Sequence, residues 1–410
     1  MHPIIVDILL ERIQSENRRF EELYSDLDLL EADIAERGYQ FHVLEELLSA
    51  NFAQYRPELE EFADMPIDAT LSLVNKEDDW RAALLKKFTA ELPDKLRPIY
   101  VQLFEDTHSI QHAAVAEDNP IEFSIAARTL HSDIQFMHEM SGFCFKHGIF
   151  IYTSGMRRET LANLARKMNE GETLKTAFKS ALKFEAGFAH NLVVHELAHA
   201  QVPELYDRDV ALKKKILSLE LEFYHSLASN ESLIGELNAK FAKLHQIEKR
   251  LALTIAVPPV NFSKLTYLDL EPTLTPISAP RFTLPASAEE LRSEITALVE
   301  ERSVLGAIIE GYSSFVSERL LSNNEDYLFF KDERDGNLKR IKGPSAIKRE
   351  IRGAKYGSEL LKRFYERYGK KGLRTILEHP PETYNGDDGI SAKCEGLLGL
   401  VGCRNHQSGY

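Results

Sequence analysis

Apolar residues in the first part of the chain return at helical intervals. Ile5, Ile8, Leu9, Ile13, Phe20, Leu23, Leu27, Leu30 and Ile34 recur mostly at steps of three and four, with Glu, Arg and Asp between them, a pattern that predicts amphipathic helix. Leu44, Leu47 and Leu48, then Leu84, Leu85 and Phe88, carry the pattern across breaks near Gly38, Pro57, Pro66 and Pro93, so residues 4 to about 95 read as helix. Residues 98–104 and 121–125 are short and rich in β-branched and aromatic side chains, which predicts strands. Residues 143–153 read as a hairpin turned at Gly148. Helical spacing returns over about 159–184 and again from Phe188 to about Gln201. A long amphipathic helix then covers 210 to about 254, with Leu217, Leu221, Tyr224, Leu227, Ile234, Leu237, Phe241 and Leu244 in its stripe.

Pro258, Pro259, Pro272, Pro276, Pro280 and Pro285 cannot lie inside a helix and predict an extended strap. Ser287 offers an N-cap for a further helix running toward Leu320. The two long helices are expected to form an antiparallel hairpin, a surface through which copies of the chain could self-associate. The fold class expected is α+β and mostly helical.

Composition narrows the picture. At 410 residues the chain has room for two or three packed units. Fifty Lys+Arg against 64 Asp+Glu give a formal charge of −14, which argues against binding to nucleic acid or to an anionic membrane. The charge is uneven: residues 1–95 hold 10 basic and 22 acidic side chains, whereas residues 331–374 hold 15 basic and 6 acidic. Docking of that basic stretch onto the acidic remainder is expected ahead of a nucleic-acid role. Cys144, Cys394 and Cys403 are too few and too scattered for a disulfide framework or an all-thiolate metal site. With no signal-like leader and no uncharged apolar run of about 18 residues, a cytoplasmic protein is expected.

The informative chemistry lies in residues 191–200, Asn-Leu-Val-Val-His-Glu-Leu-Ala-His-Ala. Four residues are close to one helical turn, so His195 and His199 project from one face and can hold one Zn²⁺. Glu196 stands beside such a metal, where a carboxylate can take a proton from metal-activated water and later give one to a leaving amine. Gln201 is polar where the extended motif usually prefers an apolar residue.

Two histidines leave a zinc site short of a protein ligand. A metzincin continuation would put a glycine and a third histidine where Val202 and Leu205 stand, which excludes that class. A glutamate on a second helix is the other common solution, and residues 310–318, Glu-Gly-Tyr-Ser-Ser-Phe-Val-Ser-Glu, stand out. Here the chain resembles the gluzincin metallopeptidases, which carry His-Glu-x-x-His and a later Glu-Gly-x-x-x-aromatic helix. The resemblance implies a zincin-like core, one zinc per chain, peptide-bond hydrolysis and Glu310 as the third ligand, with Gly311, Ser313 and Ser314 letting the two helices approach. Residues 357–381 look like the helical tail of compact gluzincin domains. The resemblance spans roughly residues 140–210 and 290–385. Thermolysin-like spacing points instead near Glu220, and Glu222, Glu204, Asp207 and Asp209 are further alternatives. Glu318 is either an outer partner of Glu310 or a surface charge, and Ser314 stands where some gluzincins place an acidic partner.

Donors for a developing oxyanion stay open among Tyr312, Tyr327, Tyr365, Tyr368 and His379. Residues 149–153 are a candidate edge strand for an extended substrate. His108, His112, His131, His138 and His190 read as structural or surface residues. The expected organisation is an acidic helical region (1–95), a small sheet with the motif helix (96–209), an inserted long helix and Pro-rich strap (210–286), a helical lobe with the third ligand (287–385) and a Gly-rich tail (386–410). The function expected is zinc-dependent hydrolysis of a peptide or protein substrate. A noncatalytic helical scaffold with a vestigial or structural zinc site is the alternative. The two added segments are candidates for covering the cleft.

Overall fold

A computed structural model describes residues 3–105, 119–228, 286–340 and 346–380. In chain order the elements are α1 (Pro3–Glu36), α2 (Leu44–Ala63), β1 (Thr70–Val74), α3 (Glu77–Ala90), α4 (Arg97–Glu105), α5 (Pro120–Glu139), β2 (Gly142–Phe145), β3 (Gly148–Tyr152), α6 (Thr153–Asn169), α7 (Leu174–Ala200), α8 (Pro203–Ala228), α9 (Ala286–Leu320), α10 (Glu325–Arg340) and α11 (Ala346–Glu378). The molecule is mostly helical with one small sheet, in keeping with the α+β expectation. Among the described residues no helix is long and apolar enough to cross a membrane. The second half of the expected long helix, the Pro-rich strap, His108, His112 and the tail with Cys394 and Cys403 lie outside the described residues.

Several local expectations are corrected. Residues 98–104 and 121–125 are helical, in α4 and α5. A proline stands in the first turn of each, where its missing N–H costs nothing, and Ile99, Tyr100, Leu103 and Phe104 are buried at helical intervals. Conversely, β1 interrupts the region read as continuous helix. Ser287 is not a cap, because α9 already starts at Ala286. The hairpin is present, but its two-residue turn is Lys146-His147, with Lys146 at φ 54°.

The sheet runs β1-β3-β2, with β1 parallel and β2 antiparallel to the central β3. Thus β2, rather than residues 149–153, is the edge strand flanking the motif helix. Side chains alternate across the sheet as the two-residue period requires. Cys144, Ile149 and Ile151 join a core built on α2, α7, α9, α10 and α11, while Phe143 and Tyr152 join Trp80, Tyr100 and Phe123 on α3, α4 and α5. A third cluster joins Leu27 and Ile34 of α1 to Leu161, Leu164 and Phe178.

Arg208 and Asp209 pair with Glu301 and Arg302, while Lys215, further along α8, pairs with the earlier Glu294, so α8 and α9 run antiparallel as expected. The basic stretch does dock on acidic surface: Arg374 pairs with Asp64 at 2.9 Å and Lys331 with Glu318 at 2.7 Å. Gly369, at φ 62°, breaks α11 into two helical pieces, as a capping glycine should.

Candidate metal centre

The motif helix is longer than its sequence pattern suggests. α7 runs unbroken for 27 residues, opened by Thr173, whose side chain accepts from the Thr176 N–H. Gly187, between the two helical runs read from the sequence, lies within it at a contact with α10. A Cβ there would stand 2.0 Å from the Asp326 carbonyl oxygen. That contact fixes α7 against α10. On its other side α7 packs under α9, so the residues of the two motifs meet.

His195 Nε2 and His199 Nε2 lie 2.8 Å apart. The Glu310 carboxylate faces both, with Oε2 at 3.4 Å from His195 Nε2 and Oε1 at 3.6 Å from His199 Nε2. The three ligand atoms lie within 4.8 Å of one another, and no other such cluster exists among the described residues. Exposure grades across the cluster, from 5% for the His199 side chain through 25% for His195 to 48% for Glu310, so one side opens to solvent. A tetrahedral site with bonds of about 2.0–2.1 Å separates its ligand atoms by about 3.3 Å. Each His–Glu distance is close to that edge, although the two reach different oxygens of the carboxylate, and the imidazoles need to part by about half an ångström.

The ionisation states of two of the three groups suit a cation, whose ligands must be deprotonated. Burial pushes His199 down to about 3, which keeps its ring neutral. Partial burial opposes ionisation of Glu310, but His199 and His195 outweigh it and hold the carboxyl at about 2. His195 is raised because its bond to Glu310 overcomes the effect of burial. Glu196 is different: burial pushes it up to about 7, and its Oε2 finds no hydrogen-bond partner among the described residues. It lies against Gly142 of β2, where a Cβ would be 3.4 Å from the Glu196 Oε1. His199 Nδ1 is likewise buried without a partner among the described residues.

A cleft of about 340 Å³ opens beside His195 and Glu196, bounded by Ser141 and Gly142 at the start of the edge strand and by Phe184, Phe188 and Phe330. The alternative ligands are drawn elsewhere. Glu220 pairs with Arg128, Asp209 with Arg302 and Glu318 with Lys331, while Glu222, Glu204 and Asp207 are absent from the His195 cluster. Nor does the cleft collect the expected oxyanion donors. Tyr312 is buried and its hydroxyl donates to Gln201 Oε1 at 2.6 Å. Tyr365 stacks on Phe62 at 5.0 Å, and Tyr327, Tyr368 and His379 do not line the cleft. His190 bonds Tyr55 at 3.0 Å, in a structural role.

One neighbour escaped the sequence reading. Tyr206 sets its ring edge-on to His199, centroids 5.2 Å apart. Its phenol is kept neutral by burial and by the nearby carboxylates Glu310 and Glu196. It follows His199 by seven residues, a two-turn step, but the end of α7 at Ala200 hides that relation in the sequence. Comparison with known protein families, curated proteins and solved structures finds no match to this chain.

Proposed function

We propose that the protein is a zinc-dependent metallopeptidase with a gluzincin-like core, cleaving peptide bonds in the cleft beside His195 and Glu196. The observation that carries this reading is the convergence of two imidazoles and an ionised carboxylate from helices α7 and α9, next to a buried carboxyl that ligates nothing. Two nitrogens and an oxygen on an open-sided site suit zinc. Held by His195, His199 and Glu310, zinc would acidify water and polarise a carbonyl.

The chain's own residues do the rest. Glu196 takes a proton from the attacking water and passes it to the departing amine. The C–N bond breaks, and the water oxygen stays in the new carboxyl group. The free edge of β2 offers backbone groups to an extended substrate, so the scissile bond can lie along the strand and across the cleft. Gly142 keeps that strand close to Glu196. The neutral phenol of Tyr206 is the candidate donor to the carbonyl oxygen as it gains charge.

Zinc analysis and a peptide library test this together. Wild type and Glu196→Gln are expected to hold one zinc per chain, and His195→Ala to hold none. Glu196→Gln should cleave roughly 10²–10⁴-fold more slowly, the usual worth of general acid–base catalysis. Equal cleavage by both zinc-loaded proteins would overturn the reading. A noncatalytic scaffold is the second reading, favoured by the 2.8 Å contact between the imidazoles, which a single proton can bridge. It expects no stoichiometric zinc and no response of the fold to a chelator.

A further inference from the structure

The cleft beside His195 has a wall whose chemistry is not used by the hydrolysis itself. On α7, Phe184, Phe188 and His195 line it; on α10, Phe330 and Arg334 do. Phe330 and Arg334 are four residues apart and therefore share one face of their helix. The Phe188 and Phe330 rings stack at 5.3 Å, and Phe184 tilts against Phe330 at 5.1 Å. The Arg334 guanidinium lies 5.7 Å from the centre of the Phe330 ring.

Two of the charges near Arg334 on α10 are committed, and Asp332 and Asp335 stand on the same helix. Lys331 pairs with Glu318 at 2.7 Å, and Glu333 is held by Lys167 at 2.8 Å and by Arg166. Arg334 is exposed and makes no ion pair among the described residues. Glu159 also lines the cleft, with its carboxylate 3.4 Å from Ser141 Oγ, so the positive character is local to the α10 side. A permanent cation, an aromatic surface and the candidate metal centre therefore share one cleft of about 340 Å³.

We propose that Arg334 is a specificity residue: it receives a carboxylate of the substrate while a bulky apolar side chain rests on Phe188 and Phe330. The inference rests on the peptidase reading of the same site and names its substrate class, peptides with a carboxylate close to a large apolar residue. A guanidinium fork matches a carboxylate in two parallel hydrogen bonds, and partial exclusion of water strengthens them. In a chain of net charge −14, an anionic peptide is repelled at long range, so a local cation decides whether it is accepted. The carboxylate can come from an acidic side chain or from a free C-terminus, and both present the same group.

The test uses phenylpropionate and its neutral amide, titrated into the full chain by calorimetry with a chelator present, so that no carboxylate is bound by metal. Wild type should prefer the acid by at least about tenfold, as a charge-assisted pair predicts. Arg334→Ala should lose the preference, and Arg334→Lys should keep part of it. Equal affinity for acid and amide in wild type, or a preference unchanged in Arg334→Ala, would overturn the proposal. Matched thermal melts check that the exposed substitution leaves the fold intact.

Turnover then separates the two sources. Zinc-loaded protein is assayed on phenylalanine-bearing peptides with free or amidated C-termini, and with Asp or Asn beside the phenylalanine. The source that Arg334 serves should lose roughly 10- to 100-fold in kcat/KM in Arg334→Ala, with the uncharged partner peptide unaffected. Arg334-dependent acid binding without any peptide cleavage would uphold this site and remove the peptidase reading. Cleavage indifferent to the carboxylate would do the reverse.

Discussion

Gln201 shows how much a single side chain can do at the end of the motif helix. Its amide donates to the carbonyls of Leu59 at 3.2 Å and Met65 at 2.8 Å, and its oxygen accepts from Tyr312. The residue that looked out of place beside the histidines thus ties α7 to α2 and to the helix carrying Glu310. Gln201→Leu should leave the buried Tyr312 hydroxyl without its acceptor and remove the two hydrogen bonds to the Leu59 and Met65 carbonyls, costing about 1–3 kcal/mol. Urea unfolding measures that loss, and zinc retention in a competition with a chelator should weaken in parallel. A variant as stable as wild type would mean that the clasp is dispensable. Glu310 makes the complementary case. It is half exposed, so Glu310→Gln should unfold at the same urea concentration yet retain zinc at least about tenfold less well, as even outer partners of metal ligands have effects of that size.

At the scale of elements, the site depends on helices brought unusually close. A Cβ on Gly311 would stand 2.5 Å from the Gly357 carbonyl carbon, and one on Gly357 would stand 1.9 Å from the Ala307 oxygen. Gly357→Ala is therefore expected to force α9 and α11 apart at a cost of about 1–3 kcal/mol. Gly306, one turn away on α9, has nothing within 4 Å of such an atom. Gly306→Ala should stabilise the helix by about 0.5–1 kcal/mol, and denaturant midpoints of the pair give the contrast directly. The histidine pair was legible in the sequence because residues four apart share a helix face, and the Glu-Gly segment only through its resemblance to the gluzincin pattern. The hairpin was legible from its alternation. The strands expected at 98–104 and 121–125 were misread because a short apolar run is consistent with either structure, and at 121–125 burial on nearly every side removes the period that would decide. β1 was hidden because its partner, β3, is far along the chain. Tyr206 and Arg334 carry no local signal, since only packing brings the one to His199 and the other to the cleft.

For the molecule as a whole, a buried charge cluster joins the helices before the sheet to α8. Glu91 lies between Lys87 at 2.9 Å and Lys213 at 2.6 Å, and Lys213 also reaches Asp133 at 3.7 Å, which accepts from the Tyr100 hydroxyl. Burial works against the Glu91 charge, but Lys213 and Lys87 outweigh it and hold the carboxyl at about 2, below its ordinary 4.5. A depressed carboxyl contributes stability that is present above the ordinary value and is lost as pH falls toward the folded one, here about 3 kcal/mol in order of magnitude. Burial shifts Asp133 upward instead, so the cluster's net acid response is smaller than Glu91 alone would give. Urea unfolding between pH 7 and pH 3 should show wild type losing stability faster than Glu91→Gln, which starts lower. Parallel curves would remove the cluster from the acid response. The spacing of the ligands has a further consequence in time. Glu310 follows His199 by 111 residues, and at about 5–20 residues per second of synthesis the histidine pair is made roughly 6–20 s before its third partner. On the proposed reading, a growing chain carries Glu196 long before the centre can close, so any peptide cleavage would wait until α9 has been made.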